Sequence, residues 1–314
     1  MRRRTALFLA PALLTSAALA PALAPGAARA QAPAAGGGRL DVVASFSILG
    51  DMVRQIGGDR VAVRTLVGPG GDSHTYQPRP SDAAAIRSAT LVVRNGLGFE
   101  PWLDRLIRSS ATRARIATAS QGVTPRKMVE EGHGHSHEAT DPHAWQDLRN
   151  GFLYAGNIAE ALAAADPDGA DLYRRNAEAF RVRLTGLDAW VREQIATVPA
   201  ERRIVVTSHD AFGYFGAAYG VRLEAPQGMS TESEPSAAQV AALIRQVRAQ
   251  RVTAVFIENM TNPALLERLA RDAGVRVQGE LFSDSLSPPD GPAATYEAMF
   301  RHNVGLLVPA MRGG

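Results

Sequence analysis

The chain has 314 residues, with 34 Lys and Arg against 31 Asp and Glu, seven His and no Cys. Without cysteine it has neither a disulfide framework nor a thiol for lipid attachment, so its stability must come from packed cores, and this length can bury two. Arg2, Arg3, Arg4 and Arg29 are four of the basic residues and the first 30 positions hold no acid; the remainder carries 30 basic against 31 acidic residues, which excludes a broad nucleic-acid-binding surface.

The arginines precede an apolar run from Ala6 to Ala20, which contains Pro11, and a small-residue stretch ending Ala28-Arg29-Ala30. That is the layout of a secretory signal peptide, cut near Ala30, and the run is well short of the roughly 20 residues that span a bilayer. After a lead-in of Ala, Pro and Gly, apolar β-rich runs alternate with amphipathic segments. Strands are predicted over 40–44, 61–67, 90–94 and 115–119, and helices over 48–56, 81–88 and 100–109. Tyr173, Ala177, Phe180, Leu184, Leu187, Val191, Ile195 and Val198 then recur at three- and four-residue steps. They predict one helix from an Asp166 cap to Pro199, of roughly 30 residues and about 45 Å. A second series follows, with strands over 204–207, 221–224, 252–257 and 275–279 and helices over 211–219, 236–250 and 263–273. The segment 77–82 echoes 232–237, each ahead of a helix that leads into a strand.

The expected fold is therefore α/β: two related lobes, each a mostly parallel sheet flanked by helices, joined by one long spine helix. The organisation expected is a signal peptide over 1–30, a first lobe over 31–165, a linking helix over 166–199 and a second lobe over 200–314.

His74 and His209 directly follow predicted strands and His143 precedes a helix. Ligands of open α/β sheets bind beyond the carboxyl ends of strands. Neutral imidazole is the commonest metal-binding side chain, and three such nitrogens suit zinc and its neighbours. Asp284, just past the last predicted strand, is the best-placed carboxylate for a closed, four-coordinate site. His133, His135 and His137 lie among acidic residues in a Gly-containing stretch over 130–138, read as a loop with a loose secondary metal site. Glu258, at a strand end, is placed to accept the second ring N–H of a ligating histidine. Tyr76 and Trp145 are read as packing residues.

His74-x-Tyr76-x-Pro78-x-Pro80-x-Asp82, Asp141-Pro142-His143-x-Trp145, Ser208-His209-Asp210-Ala211-Phe212-x-Tyr214-Phe215, Glu234-Pro235-Ser236 and Asp284 occur in this order along the chain. Together they resemble the solute-binding proteins of zinc and manganese ABC importers. The resemblance implies one metal held in the cleft between the lobes by His74, His143, His209 and Asp284. It implies zinc, with manganese the alternative: manganese-favouring members commonly carry Glu where this chain has His209. It also implies a periplasmic location, a monomer, and delivery to an inner-membrane permease with its cytoplasmic ATPase.

No phosphate loop of the Gly-x-x-x-x-Gly-Lys type is present, so the ATPase is expected to be a separate chain. A zinc hydrolase would need an open coordination position and a general base, and the chain has neither His-Glu-x-x-His nor Gly-x-Ser-x-Gly. No enzymatic activity is expected. A periplasmic metal buffer or chaperone without a transporter would use the same ligands and stands as the alternative.

Overall fold

The computed structural model describes residues 38–131 and 136–313. The leader, His133 and His135 fall outside them. Strands β1 (Leu40–Phe46), β2 (Val61–Val67), β3 (Leu91–Arg94) and β4 (Arg115–Thr118) form a parallel sheet in the order β2-β1-β3-β4. Helices α1 (Ser47–Gly57), α2 (Pro80–Ser88) and α3 (Pro101–Ser110) connect them. Both faces of such a sheet are covered, so its strands read as continuous apolar runs: Leu91, Val92 and Val93 are all fully buried.

Two further strands form an antiparallel hairpin, β5 (Lys127–Glu131) and β6 (Ser136–Thr140), with Glu130 opposite His137. This corrects the expected loop over 130–138: the glycines that suggested a loop lie between the strand segments, and each segment satisfies its backbone groups on the other. The second sheet contains β7 (Ile204–Val206), β8 (Arg222–Glu224), β9 (Ala254–Glu258) and β10 (Val277–Leu281). Its order, β8-β7-β9-β10, repeats the topology of the first. Helices α6 (Gly213–Tyr219), α7 (Ala237–Gln250) and α8 (Ala264–Ala273) connect it.

The echoing segments 77–82 and 232–237 occupy equivalent places, each opening the helix that feeds the third strand of its sheet. Pro80 starts α2, with Asp82 accepting the Arg79 backbone N–H at 2.8 Å. Ser236 and Gln239 close a capping box on α7.

Helices α4 (Leu148–Ala165), α5 (Ala170–Ala196) and α9 (Tyr296–Arg312) complete the fold. The stripe read from the sequence is the buried face of α5, except that Val198, also buried, lies just beyond the helix. Its 27 residues give about 40 Å. Asp166 does not cap it. Pro167–Gly169 forms a separate 3-10 turn, and the Asp166 carboxylate instead accepts Arg60 at 2.9 Å and the Tyr173 hydroxyl.

One continuous core runs from the first sheet through α4, α5, α6 and α9 to the inner face of the second sheet. A separate cluster of Val206, Val255 and residues of α7 and α8 covers the other face of that sheet. Among the described residues no helix is long and apolar enough to cross a membrane.

Candidate metal centre

His74 lies in the turn after β2, His143 after the hairpin, His209 after the central strand β7, and Asp284 after β10. All four are buried, and each offers one ligand atom within 4.8 Å of the others. His74 Nε2 stands 3.3 Å from His143 Nε2. Asp284 Oδ2 sits among the rings, 3.1 Å from His74 Nε2, 3.6 Å from His143 Nε2 and 3.2 Å from His209 Nε2. A zinc ion bonded at about 2.0–2.1 Å in tetrahedral geometry spaces its ligand atoms roughly 3.3 Å apart. The separations of Asp284 Oδ2 from the three rings and of His74 from His143 thus lie close to those of a four-coordinate shell. Buried atoms without a hydrogen-bond partner also gather here, among them His209 Nε2 and Asp284 Oδ1. Buried polar atoms are normally paired, so the cluster has the character of a binding site.

Carboxylates behind the rings turn the Nε2 atoms inward. Asp141 Oδ1 lies 2.9 Å from His143 Nδ1 and also accepts the His143 backbone N–H at 3.0 Å. Glu258 Oε1 accepts the His209 backbone N–H at 2.9 Å, and its Oε2 lies 2.7 Å from His209 Nδ1. The Glu258 carboxylate thus lies beside the second ring nitrogen of His209. Asp141 was visible in its motif but had received no role. Asp72 repeats the signal: its Oδ1 accepts the His74 backbone N–H at 2.8 Å, so Asp-x-His occurs twice with the same local bond.

Neighbouring segments hold the ligands. Trp145 Nε1 and Gln146 Nε2 both donate to Ser283 O at 2.9 Å, and Ser47 Oγ accepts the Leu286 N–H at 2.9 Å, which ties the Asp284 segment to the first lobe. Asn95 Nδ2 donates to Pro142 O at 2.9 Å beside His143. Gly213 is required by close approach: a Cβ there would come within 2.6 Å of Asp141 Oδ2. Trp145 is fully buried and Tyr76 donates to Asp82 at 2.7 Å, so both belong to the frame.

The electrostatics follow from burial. Desolvation pulls His143 down, but the Asp284 and Asp141 carboxylates outweigh it and lift its pKa from 6.5 to about 9. His209 is likewise raised well above its ordinary value, burial being overcome by Glu258 and Asp284. Burial opposes ionisation of Asp284, yet His143 and His209 hold it well below the usual carboxylate range. Asp210 is pushed up to about 6 by burial and by Asp141. An open cavity of ≈ 640 Å³ leads to His74, with Phe99, Pro142, Met229 and Glu232 in its walls.

The family model described as the periplasmic zinc-uptake complex component A matches residues 42–310. The manganese-binding lipoprotein MntA of Halalkalibacterium halodurans is 34% identical over 272 residues, covering 87% of this chain and 88% of its own. The iron-binding protein YfeA of Yersinia pestis is 32% identical over 266 residues, covering 85% and 84%. The structure of the periplasmic zinc-binding protein TroA from Treponema pallidum superposes with a TM-score of 0.81 at 30% identity, covering 88% of this chain and 99% of that one.

Proposed function

This chain belongs to the zinc-uptake complex component A family, and from that premise we propose that it is a periplasmic carrier holding one transition-metal ion, zinc in preference to manganese. It delivers the ion to an inner-membrane ABC permease driven by a cytoplasmic ATPase. The observation that carries the reading is the convergence of three imidazole nitrogens and one carboxylate oxygen, all buried. His74, His143, His209 and Asp284 are the ligands. Three borderline nitrogen donors in a four-coordinate shell favour zinc, whereas manganese prefers more oxygen and a larger shell. The relatives include proteins named for manganese, iron and zinc binding, so selectivity rests on this chain's own donor set.

The leader is cut near Ala30, and the carrier acts as a monomer with metal-holding lobes over 31–165 and 200–314 and the helix over 166–199 between them. His133, His135 and His137 form a looser, exchangeable metal-holding segment. The protein's task is binding and release, with no reaction catalysed.

Competitive titration with zinc and manganese tests the reading. One tight site per chain is expected, with zinc the stronger ligand; absence of a tight site would overturn the carrier, and a manganese preference would overturn the selectivity. Acidity supplies a second arm. A metal-bound imidazole must be neutral, so zinc affinity should climb steadily from pH 6 to 8.5 instead of levelling off just above 6.5. The metal-free fold should respond in the opposite sense. His143 has a folded pKa raised above its ordinary value, so its contribution to stability is present below 6.5 and is lost as pH rises through about 9. Thermal unfolding at both ends of that window measures it.

Glu258→Gln should weaken zinc binding by about tenfold and Glu258→Ala by up to about a hundredfold, since carboxylates behind ligating histidines orient the ring and raise its basicity. Calorimetry on the two variants checks the order; equal affinity in all three proteins would remove Glu258 from the site.

A further inference from the structure

The Asp72 carboxylate faces two ways. Its Oδ1 accepts the backbone N–H of His74, while its Oδ2 accepts the Thr231 hydroxyl at 2.6 Å. Asp141, the other aspartate in an Asp-x-His sequence, directs its carboxylate onto its own histidine's ring. Asp72 sends its second oxygen across the cleft instead. A hydroxyl–carboxylate contact of that length is charge-assisted, roughly twice as strong as a neutral hydrogen bond.

Thr231 belongs to the segment between β8 and α7, which is built onto the His209 strand end. Gln227 pairs with His209 in a parallel bridge, and Asp210 N donates to Gly228 O at 3.2 Å. The Gln227 side chain then donates to Thr231 O and Ser233 O, both at 3.0 Å, and so fixes the turn that presents the hydroxyl. Met229, Ser230 and Glu232 of the same segment form one wall of the cavity that opens onto His74. One carboxylate therefore joins the backbone of a first-lobe ligand to the segment paired with a second-lobe ligand, at the mouth of the site.

We propose that Asp72 and Thr231 form a latch across the mouth of the metal centre, a positioning pair that sets how fast the ion passes in and out. The proposal rests on the metal-carrier reading. The Thr231 hydroxyl is directed at Asp72 and not at a ligand nitrogen, so its loss leaves the coordination shell intact. What changes is the barrier to parting the two segments, and that barrier is crossed by ions moving in either direction.

Stopped-flow mixing of the full chain with zinc, and of the zinc-loaded chain with a chelator, measures both rates. Thr231→Val keeps the shape and removes the donor; capture and release should both accelerate by about tenfold, the scale of one hydrogen bond to a charged acceptor, with affinity held within about threefold. Thr231→Ser restores the hydroxyl and should bring both rates back to within about twofold of wild type. The metal-free stability of the valine variant should fall by no more than about 1.4 kcal/mol, the same tenfold converted, and the serine variant should recover it. Unchanged rates in Thr231→Val, or a serine variant as fast as the valine one, would overturn the latch while leaving the carrier standing. A fall in the metal-free midpoint with both rates unchanged would reduce the pair to ordinary structural support. A wild-type chain that takes up no zinc would overturn the carrier reading, and the latch with it.

Discussion

Asp284→Ala is expected to weaken zinc binding by several hundredfold. Closed zinc sites bind with about 10–16 kcal/mol shared among four ligands, so one ligand carries about 2.5–4 kcal/mol, and each 1.4 kcal/mol is a factor of ten. Asp284 should stand at the upper end because its Oδ2 is the atom on which all three rings converge, between 3.1 and 3.6 Å from each Nε2. The same substitution makes a second, independent mark. The Asp284 charge is the largest influence raising His143, so the His143 pKa should fall from about 9 toward neutrality, followed by NMR of the ring protons in the metal-free chain. Asp284→Asn, which keeps one oxygen but no charge, should bind with intermediate affinity and show a similar fall. If Asp284→Ala retains wild-type affinity, the carboxylate is not a ligand. If His143 titrates unchanged, the carboxylate does not control the ring.

His209→Glu carries the other large effect, and the structure makes it more than a change of donor. The substitution exchanges a borderline nitrogen for hard oxygen, which lowers zinc affinity and narrows its advantage over manganese. It also sets a third buried carboxylate beside Glu258 and Asp284, both fully buried and both now paired with this imidazole. Carboxylates crowded in a dry site resist ionisation together. His209→Glu alone should therefore lose metal-free stability by several degrees of unfolding midpoint as well as losing about a hundredfold in zinc affinity, an energy of about 2.7 kcal/mol. The double change His209→Glu with Glu258→Gln should recover the stability while leaving zinc weak. His209→Ala should weaken both metals. Competitive titration and thermal unfolding on the three variants decide the matter: zinc bound as tightly by His209→Ala as by wild type would take the second lobe's imidazole out of the site.

Much of the architecture was legible in the sequence because each lobe repeats strand and helix at short range. The apolar runs and caps fixed those elements to within two or three residues, and the 3.6-residue stripe of α5 was its buried face nearly residue for residue. The hairpin was less visible, since its strands are short, rich in polar residues and joined through a stretch of glycine and histidine in the sequence. Helix α9 carried a readable pattern in Tyr296, Met299, Phe300, Val304, Leu307 and Val308, all buried, although Pro309 near its end argues against helix on local grounds. At the site, the four candidate ligands stood out because His74, His209 and Asp284 follow predicted strands and His143 precedes a helix. Of the contacts behind them, the Glu258 carboxylate at its strand end was legible and the others were not. Thr231 reaches Asp72 across 159 positions, and only the packing of two sheets on one core brings such residues together. Asp-x-His, present twice, was a further local clue to the carboxylates behind the ligands.

The carboxylates that stand behind the imidazoles have a consequence for the economy of transport. His143 is raised to about 9 and His209 well above its ordinary value, so the carboxylates favour protonated rings, and a ligating imidazole must give its proton up. Loading with a metal ion then competes with protons on these rings, and the charge it brings is offset in part by the protons it displaces. The lobes are joined by a 27-residue helix and share one core, which resists their parting. Loading such a carrier would therefore add less charge than the ion alone brings, and would release protons on the side where the ion is captured.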